Sequence, residues 1–244
     1  MGAVSEGIMR LFAPAKLTTS LRIVGRRDDG YHLIDAEMVS LDFGDWLFVT
    51  EGDSSVVDFF DSQGNELHLG ADDLVSRALR QIGSEASVRV EKTIAAGAGL
   101  GGGSADAAAI LHWAGHSDLV AAASLGADVA FCLDGGRARV QGVGELINPL
   151  PFEARVFTLL TPPVMCSTPE VYRAWDDLGG PSGDNGNDLE PAALVVAPEL
   201  ARWRDELGDA TGVRPRLAGS GSTWFVEGDY PGEGRVVAHT SPAR

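Results

Sequence analysis

Two cysteines in 244 residues, Cys132 and Cys166, are too few and too far apart for a disulfide framework. Neither has a metal-ligand neighbour, so both are expected as buried thiols. Basic charge is scarce as well: 19 Lys and Arg stand against 35 Asp and Glu, a formal charge of −16. Neutralising a nucleic-acid backbone needs clustered cations, which excludes that class of partner. No apolar run approaches the length that crosses a bilayer. The start MGAVSEGIMR lacks the cationic-then-apolar pattern of a secretory leader, and Glu6 stands where a myristoylation signal wants Ser or Thr. The expectation is a cytoplasmic protein with no membrane partner, monomeric or homodimeric.

What is present is an ordinary globular composition, 44% apolar and 22% charged, with 31 glycines. The length fits one or two domains. Cations concentrate at the front, where Arg10, Lys16, Arg22, Arg26 and Arg27 precede any acid except Glu6. Such an island suits an anionic small molecule, or equally a solvated strand face.

Alternation of apolar and charged residues predicts strands around Leu21 and Ile23 and around Val88 and Val90, and an apolar, aromatic stretch predicts another over 45–50. Between them, Leu74, Val75, Ala78, Leu79 and Ile82 have helical spacing behind an Asp cap. Residues 97–103 read GAGLGGG and run into Ser104 and an alanine-rich stretch ending near Gly115. That is strand, glycine loop and helix, with Ser104 as the expected cap. Turn signals at 134–136 and 142–144 predict short strands around Phe131 and Val140. Asn148, Pro149 and Pro151 then mark a boundary. Beyond it come a strand over 156–160, a helix opened by Thr168 and Pro169, a mobile loop over 178–187, a helix over 198–207, and a second glycine loop, 217–221, before a strand over 223–226. His112 and His116 stand four apart, but Gly115 ends their helix and no third ligand accompanies them. Asp176 and Asp177 read as a solvated helix end, and the helix around Trp203 as packing.

A glycine loop that opens a helix is an anion site, because its amides point outward and no Cβ blocks a phosphate. A Walker loop would need Lys after the last glycine, and a Rossmann loop an acid about 20 residues on; both are missing. The protein-kinase signatures are absent too. The string 97–109, GAGLGGGSADAAA, closely resembles the phosphate loop of the GHMP small-molecule kinases, which include galactokinase, homoserine kinase and mevalonate kinase. Further stretches narrow the resemblance within that family: APAK at 13–16, DGYH at 29–32, LGADV at 125–129, GVGE at 142–145, TPEVY at 168–172, NDL at 187–189 and LAGSG at 217–221.

The resemblance implies an α+β, two-domain fold: an S5-like ATP-binding domain over 1–150 and a ferredoxin-like plait, shortened here, over 151–244. It implies ATP with Mg2+, and transfer of a phosphoryl group to the tertiary 2-hydroxyl of a cytidine-diphosphate derivative of methylerythritol, a step toward isoprenoid precursors. Lys16 and Asp128 match the catalytic pair. Gly97, Gly99, Leu100, Gly101, Gly102, Gly103, Ser104, Ala105 and Asp73 match the ATP site; Thr18, Tyr31, His32, Thr168 and Tyr172 match the substrate site, with Tyr31 and Tyr172 on the two faces of the base. No metal-ligand set is implied. Read without the resemblance, Lys16 is a surface lysine, Asp128 a turn acid, and Tyr31 with His32 a turn with a half-buried ring. Thr18 and Asp73 stand where the family usually has Asn, Ala105 where it has Ser, and Ala130 where it has Pro. The segments 115–124 and 229–236 are shorter than usual. Two other functions fit the pattern: a GHMP-type kinase of a different alcohol, and a silent nucleotide-binding regulator.

Overall fold

A computed structural model describes residues 7–70 and 72–243. The expectation for the N-terminal segment through Glu6 lies outside them. The two longest strands, β1 (Met9–Arg26) and β2 (His32–Glu51), form an antiparallel hairpin. Its register shifts between Pro14 and Lys16 and again between Thr18 and Ser20. A Cβ on Gly44 would lie 2.1 Å from the Ala13 carbonyl oxygen, so the first bulge tolerates no side chain at its partner. Between the bulges Ala15 and Leu17 pack into a core with Val39, Leu41 and Phe157, while Lys16 and Thr18 line a cleft.

The remaining strands are β3 (Val56–Phe60), β4 (Glu66–Leu67), β5 (Ala86–Glu91), β6 (Arg137–Gly142), β7 (Leu146–Pro149), β8 (Val156–Leu160), β9 (Arg216–Leu217), β10 (Trp224–Glu227) and β11 (Arg235–Ser241). The main path is β4-β3-β5-β2-β11-β8-β10-β9, with β1 and the β6–β7 pair also attached through β2. Strand β11 pairs β8 over five residues and β2 at Thr240 and Ser241, joining the two ends of the sheet. Helices α1 (Leu74–Ile82), α2 (Gly102–Trp113), α3 (Leu119–Leu125) and α4 (Val129–Asp134) cluster together. Helices α5 (Thr168–Asp177), α6 (Glu190–Val196) and α7 (Leu200–Thr211) belong to the second half of the chain. Ala105, Ala107, Ala108 and Ala109 are fully buried, since side chains this small let α2 sit close against both α1 and β1.

The fold is α+β as expected, with local corrections. Phe131 lies in α4, not in a strand; Val129, Phe131 and Cys132 turn into the helical core, and tertiary packing outweighs aromatic strand preference. Helix α3, capped by Asp118, and helix α6 were not expected, each being only seven residues long. The cap of α2 is Gly101, in the left-handed region at φ 69°, so Ser104 lies inside the helix. The cap of α5 is Ser167, one residue earlier than expected, and α7 starts two residues late and runs on to Thr211. Loop 178–187 is tied down: Trp175 Nε1 donates to Pro181 O at 2.9 Å and Asn185 Nδ2 to Pro215 O at 2.6 Å. Both cysteines are buried, as expected. Among the described residues no helix is long and apolar enough to cross a membrane.

Candidate active site

A cleft of about 1240 Å³ runs between the glycine loop, the hairpin and the start of α5. It is lined by every site residue expected from the sequence except Ala105. The Ala105 amide donates inside the helix to Gly101 O at 2.8 Å and its methyl is buried, so it offers a ligand nothing.

The glycine loop is held from both sides. Lys16 N–H donates to Leu100 O at 3.0 Å, while Ser222 and Thr223 N–H donate to Gly97 O and Ala98 O at 3.2 and 3.1 Å. A Cβ on Gly99 would lie 2.4 Å from Ala218 O, so the two glycine loops interlock backbone to backbone. This leaves the first-turn amides of Gly102, Gly103 and Ser104 without intrahelical acceptors, aimed as an anion site requires. Gly101 departs from expectation. A Cβ there would lie 2.6 Å from Lys16 Cγ, so its glycine makes room for the lysine stem and not only for a phosphate.

Lys16 and Asp128 meet. Their Nζ and Oδ2 atoms are 3.1 Å apart, and Lys16 also donates to Thr18 Oγ1 at 3.1 Å. The lysine side chain is 7% exposed and the aspartate 32%, so the carboxylate keeps a face toward the cleft. Thr18, shorter than an amide, has Lys16 as its one side-chain hydrogen-bond partner among the described residues. Asp73 caps α1, accepting from Ser76 N and Ser76 Oγ at 2.9 and 2.6 Å, and its charge is thereby engaged. Thr168 shares a hydrogen bond with Ser220 across 2.8 Å, bringing the second glycine loop to the cleft wall.

At the far end Tyr31 is 64% exposed on the rim. His32 is stacked on Tyr172, centroids 4.8 Å apart at 27°, so one face of Tyr172 is taken. Burial, helped by the Asp128 charge, pushes the Tyr172 phenol well above its ordinary value. Asp176 is no solvated helix end: it lies 2.8 Å from His32 Nε2 and 3.6 Å from Arg26 Nη1. Of the basic island, only Lys16, Arg26 and Arg27 line the cleft. Arg10 covers the Trp46 ring and Arg22 is held by Asp188 at 2.6 Å.

Sequence reasoning missed a buried triad behind the glycine loop. Lys92, the residue after β5, donates to Asp106 Oδ2 at 2.6 Å and to Asp45. Asp45 Oδ1 also accepts the Ile94 amide at 2.8 Å. Burial pushes the Asp106 carboxyl up to about 7 against the pull of Lys92, and its Oδ1 has no hydrogen-bond partner among the described residues. Burial pulls the Lys92 ammonium down, but its two carboxylates outweigh that and hold it above its usual value. His112 Nε2 lies 2.7 Å from Leu133 O, a structural contact.

No family profile matches the chain. Among curated proteins, the 4-diphosphocytidyl-2-C-methyl-D-erythritol kinase of Cereibacter sphaeroides is 37% identical, covering 88% of this chain and 87% of that protein. The enzyme of the same name from Ruegeria pomeroyi is 36% identical over 95% of this chain and 92% of its own. The chain belongs to the 4-diphosphocytidyl-2-C-methyl-D-erythritol kinase family. A crystal structure of a kinase of that name superposes with a TM-score of 0.72 at 28% identity, covering 95% of this chain and 99% of the other. Homoserine kinase from Cytophaga hutchinsonii shares the fold at a TM-score of 0.62 and 18% identity. The protein is therefore a GHMP-fold kinase, with ATP as co-substrate.

For such a kinase, Gly101→Ala should be costly. The methyl must share space with Lys16 and hold a left-handed backbone, and a misplacement of about 1 Å can lower turnover by about 100-fold. We expect kcat to fall by about tenfold or more with the far-ultraviolet circular dichroism unchanged. Full turnover in the folded variant would show that the lysine does not need that space.

Proposed function

We propose that this chain transfers the γ-phosphoryl group of ATP to the 2-hydroxyl of 4-(cytidine 5'-diphospho)-2-C-methyl-D-erythritol, the substrate named for its relatives. The observation that carries the reading is the Lys16–Asp128 pair, 3.1 Å apart, in one cleft with the N-terminus of α2 and the Tyr31, His32 and Tyr172 rings. Asp128 accepts the hydroxyl proton as the alkoxide oxygen forms its bond to phosphorus; the bond to the bridging oxygen breaks and ADP leaves. Lys16 orients the hydroxyl and the γ-phosphate, with Thr18 steadying its ammonium. The amides of 102–104 hold the phosphates, and residues 97–101 and Asp73 border the nucleotide.

Mg2+ uses few protein oxygens besides substrate phosphates, and the Ser104 hydroxyl and unpartnered Asp106 Oδ1 beside the loop fit that modest donor set. When bound, it neutralises charge developing on the transferring phosphoryl group. Residues 1–150 form the nucleotide-binding unit in this reading, and residues 151–244 bring Thr168, Tyr172 and the second glycine loop. The base lies on Tyr31 with His32 at its polar edge, and Tyr172 backs the imidazole.

The test is competition by CDP. Stacking a base on an aromatic ring contributes about 1–3 kcal/mol, so Tyr31→Ala should weaken CDP about 5- to 150-fold with little change toward ATP. CDP that fails to compete in the wild type, or competes equally in both proteins, leaves a GHMP-type kinase of another alcohol. Absence of any phosphoryl transfer would leave the nucleotide-binding regulator.

A further inference from the structure

The cytidine reading leaves one feature of the cleft unexplained: a carboxylate behind the imidazole. His32 opens β2 with a side chain only 9% exposed, stacked on Tyr172 and met edge-on by Trp175 at 5.4 Å and 88°. The ring can neither tumble nor flip without breaking these contacts. Its Nε2 lies 2.8 Å from Asp176 Oδ1, while Nδ1 has no hydrogen bond among the described residues. Asp176 is anchored by α5 and faces Arg26 with its other oxygen, 3.6 Å from Nη1. Both residues line the cleft, whereas the adjacent Asp177 is exposed and does not.

A carboxylate only accepts hydrogen bonds, so the nitrogen against it must carry the proton. In the neutral ring the other nitrogen is then an acceptor, and the second partner dictates the tautomer. We propose that Asp176 is the positioning residue that gives the base pocket its selectivity: by holding the proton on His32 Nε2 it presents Nδ1 as an acceptor, which takes a pyrimidine with an exocyclic amine and rejects one with a carbonyl oxygen there. The proposal rests on the pyrimidine-nucleotide reading of this cleft. Cytosine carries an amino group where uracil carries an oxygen, and an oxygen facing the Nδ1 lone pair leaves two acceptors without a proton between them. An asparagine at 176 can accept from Nε2 or donate to it, so it no longer fixes the tautomer.

The experiment measures competition by CDP and by UDP, separately, against the kinase substrate in wild type, Asp176→Asn and Asp177→Asn. The wild type should favour CDP by about tenfold or more, one hydrogen bond's worth of discrimination. Asp176→Asn should bring the two nucleotides to within about threefold, and Asp177→Asn should leave the preference intact. An Asp176→Asn variant that weakens CDP and UDP by one common factor would show a merely structural ion pair and overturn the proposal. So would a wild type that does not distinguish them. If neither nucleotide competes in the wild type, the pyrimidine reading itself falls; if CDP competes, that reading stands whatever happens at Asp176. A second measurement needs no variant: nitrogen-15 spectra of the wild type at alkaline pH should show the His32 proton on Nε2, and a proton on Nδ1 would refute the assignment.

Discussion

Asp128→Asn is expected to lower kcat by about 100-fold or more, the range for removing a general base, while ATP still binds with near-normal affinity. The amide keeps the size of the carboxylate and its place at the head of α4, so the change falls on proton acceptance and on the partner of Lys16. The 3.1 Å contact to Lys16 then offers the ammonium a neutral oxygen only. Single-turnover measurements with saturating ATP isolate the chemical step. An undiminished rate would remove Asp128 from the reaction and leave it as the counter-ion of Lys16.

Lys92→Met should destabilise the protein by about 3–5 kcal/mol, because breaking a buried ion pair from one side leaves uncompensated charge. Here two carboxylates lose their common partner, Asp45 at 0% exposure and Asp106 at 1%. The cost depends on pH with a definite sign. Burial already raises Asp106 from its usual 3.8 to about 7, so between those values the native state holds a proton that the unfolded chain has released. Stability contributed by this group therefore falls as pH rises across that window and levels off above it. Without the ammonium the folded carboxyl moves further up and the decline extends to higher pH. Urea unfolding of both proteins at several pH values reads this directly, and superimposable midpoints would show that the triad contributes no net stability.

The glycine loop was legible from its residues because it has a backbone consequence, and the DGYH and GADV stretches were legible through the family resemblance, which runs of adjacent residues carry. The contacts that join them were not. Lys92 is 47 positions from Asp45 and 14 from Asp106, and a lysine just after a strand reads as solvated. One signal was available: Asp106 interrupts an otherwise apolar alanine run on a buried helix, where an acid is costly unless paired. Asp176 carried no such mark, since an acid near a helix end is common, and only the turn of α5 toward β2 gives it His32. Phe131 was misplaced for a related reason: turn residues on both sides suggest a short strand, and a six-residue helix is too brief for its period to show.

The pairing of β11 with β2 has a kinetic side. Ser241 Oγ donates to Leu41 O across 200 positions of sequence, in the same sheet that holds Lys16 in place. Contacts this distant repay the entropy of closing their loop only after most of the chain is ordered, which slows folding in proportion to their share. Lys16 pairs with Ser40, the residue that Ser241 also faces, so β2, the strand against which Lys16 lies, gains its β11 neighbour in that late step. A nucleotide added during refolding would thus find its binding surface only near the end, and would slow unfolding much more than it speeds the return.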